Sequence, residues 1–329
     1  MKKLENSRLV FFNNKFVKEK DAKVSIYDSA LMFGDMVFEM TRSFNKKQFM
    51  LKEHIDRLFT GLKILRINIP YTKKELINIC NETVKKNEPF FDKNDEHRLM
   101  INVSRGPLGI YAPVFDNKLE STVIVADFPL KWTVKGLASF FDIGVNSIIP
   151  SQRSIPSTLM DPKIKNRSRM WYQMANIEVS NYKGENNFAL LIDTDGFITE
   201  GTGHNFFMIK DNVIISPEGR NILRGITRDY IFKLAKQLKI KCIEKNIEPF
   251  DVYESDECFI TGTPFCIIPS TSLNGIKINK GKVGNITKRL LSRWSKNVGF
   301  DIVKQIKKWA EEDNLKKRSL VTPYQFKKK

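Results

Sequence analysis

Apolar and polar positions first alternate in short runs. Residues 9–17 and 24–26 are brief apolar stretches around an Asn13-Asn14 turn, the pattern of a β-hairpin. Over residues 52–68 the period lengthens: Ile55, Leu58, Phe59, Leu62 and Leu65 recur at helical spacing and predict one amphipathic helix, with Arg57 off its apolar stripe. Two further apolar runs, 98–104 and 121–128, read as strands of the same sheet, joined by a loop carrying Gly106, Pro107 and Gly109. Residues 129–136 then bring a proline, a glycine and two lysines, a composition suited to a linker.

Beyond that linker the pattern predicts a strand at 138–145, a loop at 149–166 and a helix at 169–181. A hairpin (188–192, then 197–209), a helix at 228–238, strands near 240–243, 257–261 and 267–268, and a closing helix at 286–297 follow. The expected organisation is a small N-terminal α/β domain over 1–128, the linker 129–136, a larger C-terminal domain over 137–310 and a basic tail over 311–329. Strands and helices are mixed in both parts, so the fold class is a two-domain α+β or α/β arrangement, and no internal repeat is visible.

Composition narrows the function classes. At 329 residues the chain is long enough for two cores, and with 41% hydrophobic and 28% charged residues it reads as soluble and globular, which excludes fibrous and disordered classes. No apolar run approaches the roughly 18 residues of a bilayer span, and the start has too short an apolar core for a secretory signal, so no membrane association and a cytoplasmic location are expected. Four cysteines are too sparse and irregular for a disulfide framework, and three histidines fall in no ligand spacing, so no metal is expected. The balance of 55 basic against 37 acidic residues gives a net charge of +18, enough to attract polyanions. The lysines are spread along the chain without a helix-turn-helix, RNA-recognition or zinc-finger signature, which favours a solvated surface over specific nucleic-acid binding.

Four stretches carry candidate chemistry: DSALMFGDMVFEMTR (28–42) with FMLKEHIDRL (49–58) behind it; IKNRSRMWYQMANIE (164–178); DGFITEGTGHNFF (195–207); and ILRGITRD (222–229) leading to DECFITGTPFCIIP (256–269). In this order and spacing they resemble the fold-type IV pyridoxal-phosphate enzymes, also called class IV aminotransferases, across most of residues 8–308. That family includes branched-chain aminotransferases, D-amino-acid aminotransferases and aminodeoxychorismate lyases. The resemblance implies a D-amino-acid aminotransferase-like fold, pyridoxal 5'-phosphate as cofactor, an amino acid and a 2-oxo acid as substrates, and a homodimer or larger homo-oligomer.

Residue by residue, the resemblance puts the cofactor lysine at Lys165, with Lys163 two positions away as the competing choice. Counting back from Glu178 favours Lys165. A carboxylate must keep the cofactor's ring nitrogen protonated, and Glu200 matches that residue; a hairpin carboxylate facing water is the plainer reading. The phosphate needs N–H donors, hydroxyls and a cation: Gly225, Ile226 and Thr227 open a helix, Gly262 and Thr263 resemble a second phosphate-binding turn, and Arg57 resembles the phosphate arginine.

For the substrate pocket the resemblance offers Phe33, Phe38, Arg98, Tyr111 and Pro264, with Met40 beside Phe38 in an apolar wall suited to Leu, Ile or Val. Arg98 falls on an arginine near the substrate carboxylate of branched-chain enzymes. Ile110 stands where D-amino-acid aminotransferases have an arginine four residues after an Arg-Gly pair, here Arg105-Gly106. Phe33 and Arg169 each replace a tyrosine common in branched-chain enzymes, and the Lys165-x-Arg167-x-Arg169 spacing resembles aminodeoxychorismate lyases. The preferred reading is transamination of a branched-chain L-amino acid with 2-oxoglutarate as acceptor. The alternatives are aminodeoxychorismate lyase and, behind it, a non-enzymatic basic nucleic-acid-binding protein.

Overall fold

The computed structural model describes residues 8–312. The expected basic tail therefore falls, from 313 on, outside the described residues. Chain contacts divide the protein into two compact units. One comprises the described residues up to Trp132 together with Ile164–Arg169; the other comprises Thr133–Lys163 and the described residues from Met170 on.

The first unit is built on a five-stranded antiparallel sheet in the order Lys15–Lys18, Leu9–Phe12, Thr122–Pro129, His97–Ser104 and Met36–Met40. Side chains alternate along a strand, so Leu99, Ile101 and Val103 share one face with Val123, Val125 and Val37. The helix Leu51–Leu65 presents its predicted stripe, Ile55, Leu58 and Leu62, to that face. A second helix, Lys73–Asn87, adds Leu76 and Cys80 to the same core. The opposite strand face carries Phe38, Met40, Arg98, Met100 and Asn102, and it is the face relevant to chemistry.

Several elements differ from expectation. The helix Lys73–Asn87 was not predicted, although its start is written in a capping box: the Thr72 hydroxyl accepts from Glu75 N at 3.2 Å, and Glu75 Oε2 accepts from Thr72 N at 2.7 Å. Residues 24–26 form no strand, and Ile26 is 70% exposed. Residues expected as an open linker include the helical turns Lys131–Val134 and Lys135–Leu137, and the strand placed at 138–145 gives way to a helical turn, Phe140–Ile143, before the strand Val145–Ile148. Phe140 and Phe141 are buried on that turn, so their apolar character serves packing in either conformation and does not specify a strand.

Ile164–Arg169 belongs with the first unit because its backbone joins the Met36–Met40 strand. Phe38 N donates to Lys165 O at 2.9 Å, Val37 forms a bridge with Asn166, and Ile164 enters the core. The Ser168 hydroxyl donates to Phe33 O at 2.9 Å. Gly34, at φ +66°, lets it approach: a Cβ there would stand 2.4 Å from Ser168 Oγ.

In the second unit the strands form a closed circuit. Val145–Ile148 pairs in parallel with Asn187–Ile192 on one side and Cys266–Leu273 on the other. Antiparallel pairs carry the circuit through Glu257–Gly262 to Asn205–Lys210, and through Ile198–Gly201 back to Asn187–Ile192. The seam closes at one residue pair, Glu200 opposite Asn205. Tyr172, Ala175 and Val179 of the helix Met170–Val179 pack on Ile148, Ala189 and Leu191. The C-terminal end is longer than the single predicted helix: Asn285–Val298 is followed by Ile302–Glu312, and Trp294 and Trp309 are fully buried. Among the described residues, no helix is long and apolar enough to cross a membrane.

Candidate active site

In the first unit Lys165 follows Ile164, whose burial in the core anchors the segment. Its Nζ stands 4.7 Å from the centroid of the Phe38 ring, within cation–π range. Lys163 has different surroundings: its Nζ pairs with Asp161 Oδ1 at 2.8 Å and donates to Arg220 O at 3.1 Å. An amine held by a carboxylate and a carbonyl is poorly placed to act as a nucleophile.

Arg57 donates from Nε and Nη2 to the two oxygens of Glu39, at 2.7 and 2.9 Å. His54 Nδ1 lies 2.7 Å from Glu39 Oε2. Glu39 is fully buried. Burial alone would raise its carboxyl, but Arg57 and His54 outweigh that and hold it well below the usual carboxylate range. Burial lowers His54, with partial compensation from Glu39. The result is an anionic carboxylate that fixes the direction of the Arg57 guanidinium.

Arg98 is buried, and burial followed by the Arg42 and Arg167 cations pulls its guanidinium down to about 9. Its Nε and Nη1 have no hydrogen-bond partner among the described residues, and Nη2 faces only the sulfur of Met40 at 3.7 Å. A buried donor fork without an acceptor is costly, which points to an anion as its counterpart.

The second unit contributes a carboxylate and a helix start. Glu200 is buried at the strand seam and accepts from Tyr172 Oη at 2.9 Å, Leu223 N at 3.0 Å and Asn205 Nδ2 at 2.9 Å. Three donors fix its orientation; it is not the solvated hairpin carboxylate of the plainer reading. The helix Ile226–Gln237 begins after Gly225, which gives no side-chain cap, so its first N–H groups are available to a ligand. A Cβ on Gly225 would fall 2.2 Å from Asn205 Oδ1, so glycine is required for this approach. Arg228 steadies the helix start by donating from Nε to Ser216 Oγ at 3.0 Å and pairing with Glu244.

Gly262 and Thr263 lie at the turn between Glu257–Gly262 and Cys266–Leu273, with Pro264 next to them, and Thr261 Oγ1 donates to Cys266 O at 2.6 Å across that turn. His204 was not singled out in the sequence. Burial pushes its imidazole down to about 4, and its ring fills the space over Gly201, where a Cβ would meet Nε2 at 2.0 Å.

Two expected pocket residues stand apart from the Phe38 and Arg98 wall in the described contacts. Tyr111 packs at a tilt against Tyr27 with ring centroids 4.5 Å apart, and Phe33 is 66% exposed although its carbonyl holds Ser168. The apolar wall itself differs from expectation: Phe38 carries Arg167 over its ring at 3.6 Å as well as Lys165. Tyr172 and Asn205, which orient Glu200, were also missed. The signal available was their presence inside the two quoted motifs.

Comparisons with known proteins bear on the family and the fold. The family described as amino-transferase class IV matches residues 36–273. A Methanocaldococcus jannaschii protein named "Putative branched-chain-amino-acid aminotransferase" is 38% identical over 287 residues, spanning 87% of this chain and 94% of that protein. Among solved structures, the Escherichia coli branched-chain amino acid aminotransferase superposes with a TM-score of 0.76 at 27% identity, covering 90% of this chain and 95% of that one. The T.th. branched-chain amino acid aminotransferase, complexed with N-(5'-phosphopyridoxyl)-L-glutamate, gives a TM-score of 0.76 at 29% identity, covering 89% and 95%. With a match across most of its length and a lysine, a carboxylate and a helix N-terminus at the motif positions, the chain belongs to the class IV aminotransferases.

Proposed function

We propose that the protein transaminates branched-chain L-amino acids, with pyridoxal 5'-phosphate as cofactor and 2-oxoglutarate as acceptor. The observation that carries this reading is Lys165, whose carbonyl accepts from Phe38 N and whose amine lies over the Phe38 ring, while Lys163 pairs with Asp161. The donor set fits the cofactor. An oriented buried carboxylate suits a ring N–H, an uncapped helix start suits a phosphate, and a lysine suits an aldehyde.

When bound, pyridoxal phosphate supplies an electron sink for the carbanion left by loss of the α-proton. Lys165 takes that proton from Cα and later returns one. Glu200 would keep a proton on the ring nitrogen, and Tyr172, Asn205 and Leu223 N hold Glu200 in position. In the second unit Ile226, Thr227 and Thr263 would hold the phosphate, and by the resemblance Arg57 would supply its cation. Arg98 receives the substrate's carboxylate, and Phe38 and Met40 receive an aliphatic side chain.

The lyase alternative rests on the Arg167 and Arg169 spacing, but the similar proteins named above are all called branched-chain aminotransferases. The deciding experiment records the absorption spectrum of the cofactor-loaded protein before and after L-leucine, without any oxo acid. Conversion to the pyridoxamine spectrum is expected. An unchanged spectrum with leucine, and pyruvate release from aminodeoxychorismate, would hand the reading to the lyase.

The reading includes a homodimer or larger homo-oligomer. In the first unit Ile26, Leu31, Met32, Phe33, Ile110 and Val114 are large, apolar and exposed, and hydrogen bonds between Ser29 and Gly106 and between Leu108 and Tyr27 hold their two segments together. Sedimentation should give at least twice the 38.2 kDa chain mass; an active monomer would refute this part.

A further inference from the structure

The helix-covered face of the first unit's sheet, opposite the Phe38 and Arg98 face, ends in a buried histidine that the proposed chemistry does not use. His97 begins its strand and is fully buried. Asp127 stands opposite Leu99 on the neighbouring strand, which puts it on the same face as His97, and its Oδ2 lies 2.8 Å from His97 Nδ1. On the far side of the ring, His97 Nε2 meets Glu88 Oε2, and Phe91 stacks on the imidazole with ring centroids 4.2 Å apart. Glu88 opens the three-residue turn Glu88–Phe90 that leaves the helix Lys73–Asn87.

A neutral imidazole has one N–H and one lone pair, so it can donate to only one carboxylate. With a carboxylate oxygen at each nitrogen, the ring needs both protons. Burial pulls His97 down, but Asp127 and then Glu88 outweigh it and raise the imidazole above its ordinary 6.5. Burial raises Asp127 to about 6, which still leaves it a carboxylate at neutral pH. The other charges acting on the cluster are Lys46, 3.4 Å from Glu88 Oε1, and Arg8, which acts on Asp127. Glu96 is turned away to the hairpin, where it accepts from Ser43 Oγ and from Asn45 and Lys46 N, and Asp92 and Asp95 pair with Lys131.

The two carboxylates are not equally free to move. Asp127 is fixed in a strand and fully buried, whereas the Glu88 side chain is 44% exposed. A lone pair facing the buried carboxylate would leave that charge uncompensated, so a neutral ring keeps its N–H on Nδ1 and turns its lone pair to Glu88. That contact is then repulsive, and Glu88 has solvent to move into. The segment it fastens is short and bounded: Asn87 before it exchanges hydrogen bonds with Leu9 N and O, and Lys131 holds Asp92 and Asp95 after it. We propose that His97 is a proton-operated latch: as imidazolium it fastens residues 88–91 to the end of the sheet, and on losing its Nε2 proton it releases them to solvent. Its effect on stability runs opposite to that of His54. Because the folded value is raised, the contribution is fully present below 6.5 and is lost as pH rises through the folded value.

The full chain has three histidines, so imidazole NMR can follow each, and His97 is the one whose signal disappears in His97→Gln. Should that variant not fold, the titration that Glu88→Gln displaces identifies the same residue. His97 should titrate above 6.5, with both nitrogens protonated on the acid side. Hydrogen exchange read by mass spectrometry, corrected for the intrinsic rate at each pH, should show the protection of residues 88–91 falling by about tenfold across that titration, the value of one charge-assisted hydrogen bond discounted for the exposure of Glu88. Glu88→Gln decides whether the proton is the cause, because an amide can turn to accept from the imidazolium or to donate to the neutral ring. In that variant the protection should be the same on both sides of the titration. A His97 that titrates below 6.5, wild-type protection that does not change across its titration, or a fall in Glu88→Gln equal to that of the wild type would overturn the proposal.

Discussion

Replacing Lys165 with alanine is expected to lower the rate of the leucine half-reaction by at least ~10³-fold, within the range for removing a positioned acid–base group. It should also abolish borohydride-dependent fixation of the cofactor to the chain. Lys163→Ala should retain both properties within a few fold. The contrast follows from what holds each amine. Lys165 is fixed through its carbonyl, which accepts from Phe38 N at 2.9 Å, so the backbone is set while the amine stays over an aromatic face. Lys163 spends its amine on Asp161 and on the Arg220 carbonyl. Peptide mapping after borohydride treatment identifies the modified lysine directly. A Lys165→Ala protein that still fixes cofactor, paired with a Lys163→Ala protein that does not, would move the role to Lys163. A modest loss in both would mean that neither lysine moves the proton.

The motif positions could be read from the sequence because the chemistry constrains residue type at fixed spacing. What was not legible depended on neighbours remote in sequence. Glu200 looked like a hairpin carboxylate until Tyr172, 28 residues earlier, and Leu223 N, 23 residues later, were seen to donate to it. Residues 164–166 read as the end of a loop and Arg169 as the start of a helix in the second domain, and the bond to Phe38 N and the bridge to Val37 join this segment to the first unit. The same contact explains why the cations beside Phe38 were not foreseen. Apolar residues were visible in the sequence, but the cations stacked on them arrive from more than a hundred residues away. By contrast, the helix Lys73–Asn87 carried a local signal in Thr72 and Glu75 that hydrophobic periodicity alone passed over.

The second large effect concerns stability. Glu39→Gln should cost ~3–5 kcal/mol, because it leaves a largely buried Arg57 without its charged counterpart and puts an NH2 donor where one of the two acceptor oxygens shared by Arg57 and His54 stood. Urea unfolding without added cofactor measures this free of any change in cofactor affinity, which would otherwise enter by mass action. The pH dependence gives an independent check. Glu39 has a folded value depressed below its ordinary 4.5, so its contribution is present above 4.5 and lost as pH falls toward the folded value. His54 is also depressed, below its ordinary 6.5: the unfolded chain takes up a proton first, and stability is lost as pH drops from 6.5. Both effects make the wild type acid-labile, and the Glu39 part is absent from the variant. The stability difference between wild type and Glu39→Gln should therefore be largest near neutrality and shrink below pH 4.5. A difference under ~1 kcal/mol at pH 7 would be the size of an exposed ion pair and would show that water reaches the cluster. A full-sized difference that does not change below pH 4.5 would mean that Glu39 contributes through packing, with its charge immaterial.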